Sequence, residues 1–311
     1  MKRFKNILVL SRQGAGDKTT LERAMELAAK NQASLTVVDV IEALPKDTRK
    51  LATVMSPQDL QDLAIENRRE ELRRFVVPVQ REGVRVNIDV LVGPPFVQII
   101  REVLRNGHDL LMMTANGTTG VKARLLGSTS LHLLRKCPCP VWVVKPGRTM
   151  RYSRIMAAVD PDTSDEERNQ VNTEIMDLAT SLARSEESEL HVVHAWSVWG
   201  AKYVRKQETV EEMAREVRAA HKKQVDELLE SYSLEALRCR LYLLKGDPGR
   251  VIPQVASQQR IELIVMGTVS RTGLAGLFIG NTAETVLQEV DCSVLAVKPK
   301  RFVSPVERED A

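Results

Sequence analysis

One long segment of the sequence occurs twice in the chain. The sequence "HDLLMMTANGTTGVKARLLGSTSLHLLRKCPCPVWVVKP", residues 108–146, aligns without a gap with "IELIVMGTVSRTGLAGLFIGNTAETVLQEVDCSVLAVKP", residues 261–299. Identical pairs include Met113 with Met266 and Gly127 with Gly280. Similarity at one constant shift is the signature of a repeated structural unit. The chain is therefore predicted to be a duplicated domain.

The similarity extends over both halves of the chain. "VRVNIDVLVG" aligns with "LRCRLYLLKG" at the same shift, and "NILVLSR" aligns with "RIMAAVD" at a slightly smaller one. The segment "PGRTMRYS" joins the two copies. We expect one domain over residues 1–147 and a second over residues 152–311, with an acidic tail from about residue 304. A length of 311 residues suits two domains of roughly 150 residues each.

Short runs rich in apolar residues, most of them continuously apolar, predict five strands in each copy. They cover residues 7–10, 35–40, 84–92, 110–113 and 141–144 in the first copy, and 155–159, 190–195, 239–244, 263–266 and 294–297 in the second. The segments between them, such as "TTLERAMELAAK", repeat apolar residues at the spacing of an amphipathic helix. Strands of this kind are covered by helices on both faces, so the pattern favours an α/β fold with a parallel sheet in each domain.

Composition excludes several classes of partner. The 45 basic and 41 acidic residues leave a net charge of +4, which gives no extended positive field for nucleic acid. No stretch approaches the roughly 18 apolar residues of a membrane span. The apolar run of residues 7–10 is too short for the apolar core of an export signal, about 7 to 15 residues. We therefore expect a cytoplasmic protein that binds neither nucleic acid nor a membrane.

A cysteine pair raises the question of a metal. Cys137 and Cys139 flank Pro138, and His132 lies five residues before the first of them. Two thiolates and one imidazole leave a tetrahedral zinc site one ligand short. The sequence therefore predicts no metal requirement, apart from a magnesium ion that could accompany ATP.

Ligands of open parallel sheets bind beyond the carboxyl ends of the strands, where the strand order reverses. Arg12 and Asp160 follow the first strands of the two copies, and "TANGTTG" and "GTVSRTG" follow the fourth strands. Each glycine loop precedes a "GST" or "GNT" that opens a helix. Glycines and a helix N-terminus together favour a bound phosphate. The alternative is that these glycines only form turns and helix caps.

The pattern Gly-x2-Gly-x9-Gly-(Ser/Thr) in this position resembles the nucleotide-binding subgroup of the universal stress protein family, and the tandem arrangement resembles its two-domain type. The resemblance covers essentially the whole chain. It implies a Rossmann-like (HUP-like) domain with strand order 3-2-1-4-5. It also implies an adenine nucleotide held between an Asp after the first strand and the glycine loop. Family domains pair through their fifth strands, so the two copies are expected to form an intramolecular pseudo-dimer, and a homodimer stays open.

Neither copy carries the full set of residues that the resemblance implies. In the second copy, Ser270 and Asn281 replace the middle glycine and the Ser/Thr. In the first copy, Thr114 replaces the first glycine, and Arg12 replaces the Asp with a group that has only donors. The nucleotide site is therefore expected in the second copy, with a weaker candidate in the first. The second-copy residues are Asp160, Gly267, Ser270, Gly280, Asn281 and Thr282, and the first-copy residues are Arg12, Thr114, Gly117, Gly127 and Ser128.

No motif for catalysis accompanies this site. The chain contains neither a Gly-x4-Gly-Lys-(Ser/Thr) phosphate loop nor a Gly-x-Ser-x-Gly elbow. The sequence predicts no catalytic residue and at most slow ATP hydrolysis. His194, which aligns with Asp39 near the expected mouth of the site, is interpreted as structural.

These observations favour a cytoplasmic stress-response protein that binds a small molecule. The expected ligand is ATP or another adenine nucleotide, bound weakly in the second copy, and the role is regulatory or protective through unknown protein partners. Two alternatives stay open. One is a ligand-independent scaffold in which both pockets have decayed, and the other is a non-adenine anionic ligand on the Arg12 side.

Overall fold

A computed structural model describes residues 3–12, 14, 16–44, 56–115, 127–146, 151–162, 164–198, 207–268 and 280–307. The chain divides into two compact units. Unit 1 runs to residue 150 and includes the chain from residue 303, and unit 2 comprises Arg151–Phe302. The domain boundaries at residues 147 and 152 stay a prediction.

Unit 1 is an α/β unit with a parallel sheet. Its strands are β1 (Asn6–Leu10), β2 (Ser34–Ile41), β3 (Val86–Val92), β4 (Leu110–Thr114) and β5 (Val141–Val144), and its helices are α1 (Asp17–Asn31), α2 (Pro57–Val76), α3 (Pro95–Asn106) and α4 (Ser128–Lys136). The strand order is β3-β2-β1-β4-β5. Every adjacent pair runs parallel. The predicted fold class and strand order are confirmed for this unit.

Unit 2 repeats this arrangement. Its strands are β6 (Arg154–Ala158), β7 (Glu189–Trp196), β8 (Cys239–Lys245), β9 (Leu263–Gly267) and β10 (Ser293–Val297), and its helices are α5 (Glu166–Glu186), α6 (Gln207–Glu230), α7 (Pro248–Gln258) and α8 (Asn281–Glu289). The order β8-β7-β6-β9-β10 is again that of the predicted fold, with parallel neighbours.

Helices cover the two faces of each sheet. In unit 1, α1 packs on β1, β2 and β4, while α3 and α4 pack against each other. In unit 2, α5 packs on β6, β7 and β9, and α7 packs on α8. The central strands are consequently buried over nearly their whole length, which explains why they read as continuous apolar runs.

Local sequence signals set the ends of the helices. The hydroxyl of Ser56 accepts from the amide of Asp59 and caps α2, which begins at Pro57. The first helix of each unit ends on a residue with left-handed backbone, Gln32 in unit 1 and Glu187 in unit 2. Because equivalent positions share this unusual conformation, the backbone of the repeat is preserved even where its side chains differ.

Candidate functional site

The candidate site lies at the carboxyl ends of the strands, where the loops after β1 and β4, or β6 and β9, come together. β1 and β4 are neighbours, and so are β6 and β9. The parallel sheet therefore brings Arg12 and Thr114 to one edge in unit 1, and Asp160 and Gly267 to the equivalent edge in unit 2. Gly117 and Ser270 lie outside the described residues.

In unit 1, a carboxylate already occupies the loop after β1. Asp17, the first residue of α1, accepts hydrogen bonds from the amides of Arg12 at 2.8 Å and Gly14 at 2.9 Å through the same oxygen. Asp17 is buried, whereas Arg12 is exposed. An anion in this loop would need these two amides as donors. The side chain of Asp17 already accepts from both of them.

A charged pair lies beside this loop. Arg68 on α2 contacts the buried carboxylate of Asp39 through Nε and Nη2, and its Nη2 also donates to the carbonyl of Arg12 at 3.4 Å. Arg68 Nη1 reaches Glu71 at 2.7 Å. Sequence reasoning placed Asp39 near the mouth of the site but did not identify Arg68 as its partner.

The end of β4 in unit 1 is packed closely. The hydroxyl of Thr114 shares a hydrogen bond of 2.7 Å with that of Thr20 on α1. A Cβ added at Gly16 would lie 2.6 Å from Thr114 Cγ2 and 2.3 Å from Pro146 Cγ. Thr114 therefore serves the packing of α1.

Gly127 and Ser128 stand at the start of α4. Ser128 is exposed, and the N-cap residue Gly127 provides no side-chain cap.

Asp160 in unit 2 has a different environment. Its amide donates to Oδ1 of Asn172 at 2.8 Å, and its side chain is 38% exposed. Arg168 Nη1 lies 3.9 Å from Oδ2 of Asp160 and 2.8 Å from Oδ2 of Asp162, and its Nε lies 3.5 Å from Asp165. The Asp160 carboxylate is thus an accessible acceptor that shares one guanidinium with two other carboxylates.

A histidine pair takes the place of the charged pair of unit 1. His194 Nδ1 lies 3.0 Å from the carbonyl of Val159, and its Nε2 lies 2.8 Å from Nδ1 of His221 on α6. A carbonyl only accepts, so Nδ1 of His194 carries a proton, and in the neutral pair Nε2 accepts from His221. Oδ1 of Asp160 lies 3.9 Å from His194 Nδ1. The pair therefore connects α6 to the end of β6.

Two buried donors adjoin this cluster. Trp196, the last residue of β7, has its ring centroid 6.3 Å from that of His221. Among the described residues, no hydrogen-bond acceptor meets Nε1 of Trp196 or Nδ2 of Asn172, although both atoms are buried. Sequence reasoning named neither residue as part of a site.

Gly267 is constrained by packing. A Cβ added there would lie 3.0 Å from Cγ1 of Val171 on α5. The equivalent residues of unit 1 are Gly16 and Thr114, so the small and the large residue have exchanged places across this contact. The close contact with Val171 therefore accounts for a glycine at position 267.

The start of α8 carries the remaining predicted residues of unit 2. The amide of Gly280 donates to the carbonyl of Thr268 at 3.0 Å, which joins the end of β9 to α8. Gly280 has φ −61° and needs no glycine for its backbone angle. The N-cap residue Gly280 provides no side-chain cap, Asn281 is exposed and Thr282 is half-buried. The first-turn amides of α8 are the donors that this end of the sheet offers to an anion.

The described residues contain neither a metal-binding cluster nor a helix that could span a membrane. Within them, no group of three or more His, Cys, Asp or Glu side chains is arranged to hold a metal ion. The sulfur atoms of Cys137 and Cys139 lie 3.5 Å apart and are buried. None of the described helices has the length and apolar character needed to cross a bilayer.

The fold and this edge of the sheet define a class: α/β proteins with two tandem five-stranded parallel units, in which polar side chains gather at the carboxyl ends of the strands. The model of the universal stress protein family matches residues 3–145 and again residues 151–298. The chain belongs to this family.

Full-length relatives agree with this assignment. The chain is 29% identical to universal stress protein E of Salmonella typhi and 28% identical to that of Escherichia coli K12, over 100% of this chain and 99% of each relative. Among solved structures, it is similar to a functionally unknown protein of Pseudomonas aeruginosa PAO1, at 27% identity and a TM-score of 0.67 over 97% of this chain and 95% of the other. The predicted tandem two-domain resemblance is confirmed.

Proposed function

We propose that unit 2 binds an adenine nucleotide weakly at the carboxyl ends of β6 and β9, and that this binding serves a regulatory or protective role in the cytoplasm. The observation that carries the proposal is the accessible Asp160 carboxylate at the edge where α8 begins. A carboxylate accepts from an amino or hydroxyl group, and the first turn of α8, which begins after the N-cap glycine Gly280, attracts phosphate.

Arg168 supports the expectation of weak binding. Its guanidinium lies within 4 Å of Asp160, so a nucleoside that donates to this carboxylate competes with an existing charge pair. Asp162 and Asp165 also contact Arg168, and their charges oppose the approach of phosphate. The proposed site binds without catalysing, and a magnesium ion would enter only together with ATP.

A thermal-shift panel with ATP, ADP and AMP tests this proposal. At ligand concentrations above the dissociation constant, binding to the folded state raises the melting temperature by mass action. We expect a rise for the wild type, its loss in Asp160→Ala, and an unchanged rise in Arg12→Ala, the matched variant of unit 1. A wild type that none of the nucleotides stabilises would overturn the proposal.

For unit 1 we propose a ligand-independent role. The supporting observation is that Asp17 accepts from the amides of Arg12 and Gly14, while Arg68 pairs with Asp39 beside them. An anion beside Arg12 would have to displace the carboxylate of Asp17 from two amides. Native mass spectrometry of freshly isolated protein tests this role, because a co-purifying anion that Arg12→Ala releases would contradict it.

A further inference from the structure

A row of neighbouring side chains crosses the carboxyl ends of the strands in unit 2. It runs from Asn172, whose Oδ1 holds the amide of Asp160, through the 3.9 Å approach of Asp160 to His194. It continues through the 2.8 Å contact between His194 and His221 to the ring of Trp196. The five side chains come from α5, β6 with its following loop, β7 and α6, so they link most of the elements that surround the candidate site.

The residues at the two ends of this row, Asn172 and Trp196, each carry a buried hydrogen-bond donor. Asn172 is 2% exposed and Trp196 is 5% exposed. Within the described part of the chain, the Nδ2 group of Asn172 and the Nε1 group of Trp196 meet no acceptor. Buried donors are nearly always paired in native proteins, because an unpaired one costs the full desolvation of the group. Two such donors in one row of side chains therefore require acceptors that the described residues do not supply.

Unit 1 provides an internal comparison. The position of Asn172 is occupied there by Asp17, a carboxylate that accepts from two amides and has no N–H to place. The position of Trp196 is occupied by Ile41, which has no polar side-chain atom. At these two positions, unmet donors among the described residues therefore occur in unit 2, the unit that also carries Asp160, and not in unit 1.

We propose that Nδ2 of Asn172 and Nε1 of Trp196 donate hydrogen bonds to the ligand of unit 2 and determine its specificity. This inference rests on the proposed function of unit 2. It adds that the ligand presents at least two acceptor atoms to buried donors, as a nucleotide does with its ring nitrogens, ribose oxygens and phosphate oxygens. A site with buried donors discriminates strongly against analogues that lack the matching acceptors, because the donors are then left unpaired.

The most direct test is a titration of 15N-labelled protein with ATP, followed through the tryptophan indole N–H signals. The chain has three tryptophans, and Trp196→Phe assigns the signal of Trp196. We expect this signal to move downfield as ATP saturates the protein, because its N–H gains an acceptor. The signal of Trp142, a buried tryptophan of unit 1, should stay in place.

Calorimetric titration of two variants with ATP gives the energetic counterpart. Trp196→Phe removes one donor, and Asn172→Asp removes the other while keeping the acceptor for the amide of Asp160. Each lost hydrogen bond should weaken binding about tenfold. Trp142→Phe and Asp17→Asn are the matched controls in unit 1 and should bind ATP as the wild type does.

The outcomes separate this inference from the proposal beneath it. A wild type that binds no ATP, ADP or AMP overturns the proposed function and this inference with it. A wild type that binds ATP while the indole signal of Trp196 stays fixed, and while both variants keep the wild-type affinity, overturns this inference alone. A moved signal with weakened variants supports both.

Discussion

The same edge of the sheet is completed by an ion pair in unit 1 and by a histidine pair in unit 2. Arg68 and Asp39 occupy the positions that His221 and His194 occupy in the second copy. The backbone of the repeat is retained, but its polar side chains have been reassigned. Unit 1 satisfies the amides of Arg12 and Gly14 with Asp17, whereas in unit 2 two buried donors beside an accessible carboxylate meet no acceptor among the described residues. A duplicated fold can therefore specialise by changing which groups complete its hydrogen bonds.

The largest expected effect comes from breaking the two pairs in parallel. Arg68→Met leaves the buried carboxylate of Asp39 without its cation, and we expect it to lower the free energy of unfolding by about 3 kcal/mol. His221→Met removes one hydrogen bond of His194 and should cost about 1 kcal/mol. Urea unfolding measures both. Arg73→Met, which removes exposed ion pairs of α2, is the control and should change stability by less than about 1 kcal/mol. Equal losses for Arg68→Met and His221→Met would contradict the contrast between the two units.

A second prediction concerns the contact between α5 and β9, where Gly267 meets Val171 and where unit 1 has a threonine opposite a glycine. Gly267→Thr copies unit 1 into unit 2 and forces a side chain against Val171, 3.0 Å from the added Cβ. We expect a loss of about 2 kcal/mol in the free energy of unfolding through overpacking. Val171→Ala should recover most of that loss in the double variant. If the double variant is no more stable than Gly267→Thr, the packing account of Gly267 is wrong.

A third, smaller effect depends on pH. Burial lowers the pKa of His191 below its ordinary value, and Arg240 and Arg154 act in the same direction against Glu189. Below about pH 6.5 the unfolded chain binds a proton at this histidine that the folded chain does not, so stability falls as the pH drops through that value. Unit 1 has Thr36 at the equivalent position. His191→Thr should therefore show a smaller difference between urea midpoints at pH 7.5 and pH 5.5 than the wild type, and an equal difference would refute this account.

The fold could be predicted from the sequence because its signals are local and repeated. The strands are short apolar runs covered on both faces, and the repeat fixes two equivalent units. The strand order came from the family resemblance, since no property of a single strand encodes its neighbours. The long charged segments 55–80 and 205–230 contain α2 and α6.

The candidate site could be predicted only in part. Asp160 was identified because it directly follows a strand. Arg68, His221 and Asn172 were missed because each acts through a contact between elements distant in sequence, and helical periodicity gives no sign of the strand residue that a helix residue meets. Gly267 was interpreted through its motif, whereas its contact with Val171 gives it a packing role. Aligning Asp39 with His194, and then looking for the helix residue opposite each, could have found the two pairs.

We propose that unit 2 binds nucleotide and that unit 1 does not. Equilibrium dialysis of the full chain against labelled ATP measures this directly through the number of molecules bound at saturation. We predict one ATP per chain, lost in Asp160→Ala and retained in Arg12→Ala. Two ATP per chain, none at all, or one that survives Asp160→Ala would contradict the claim.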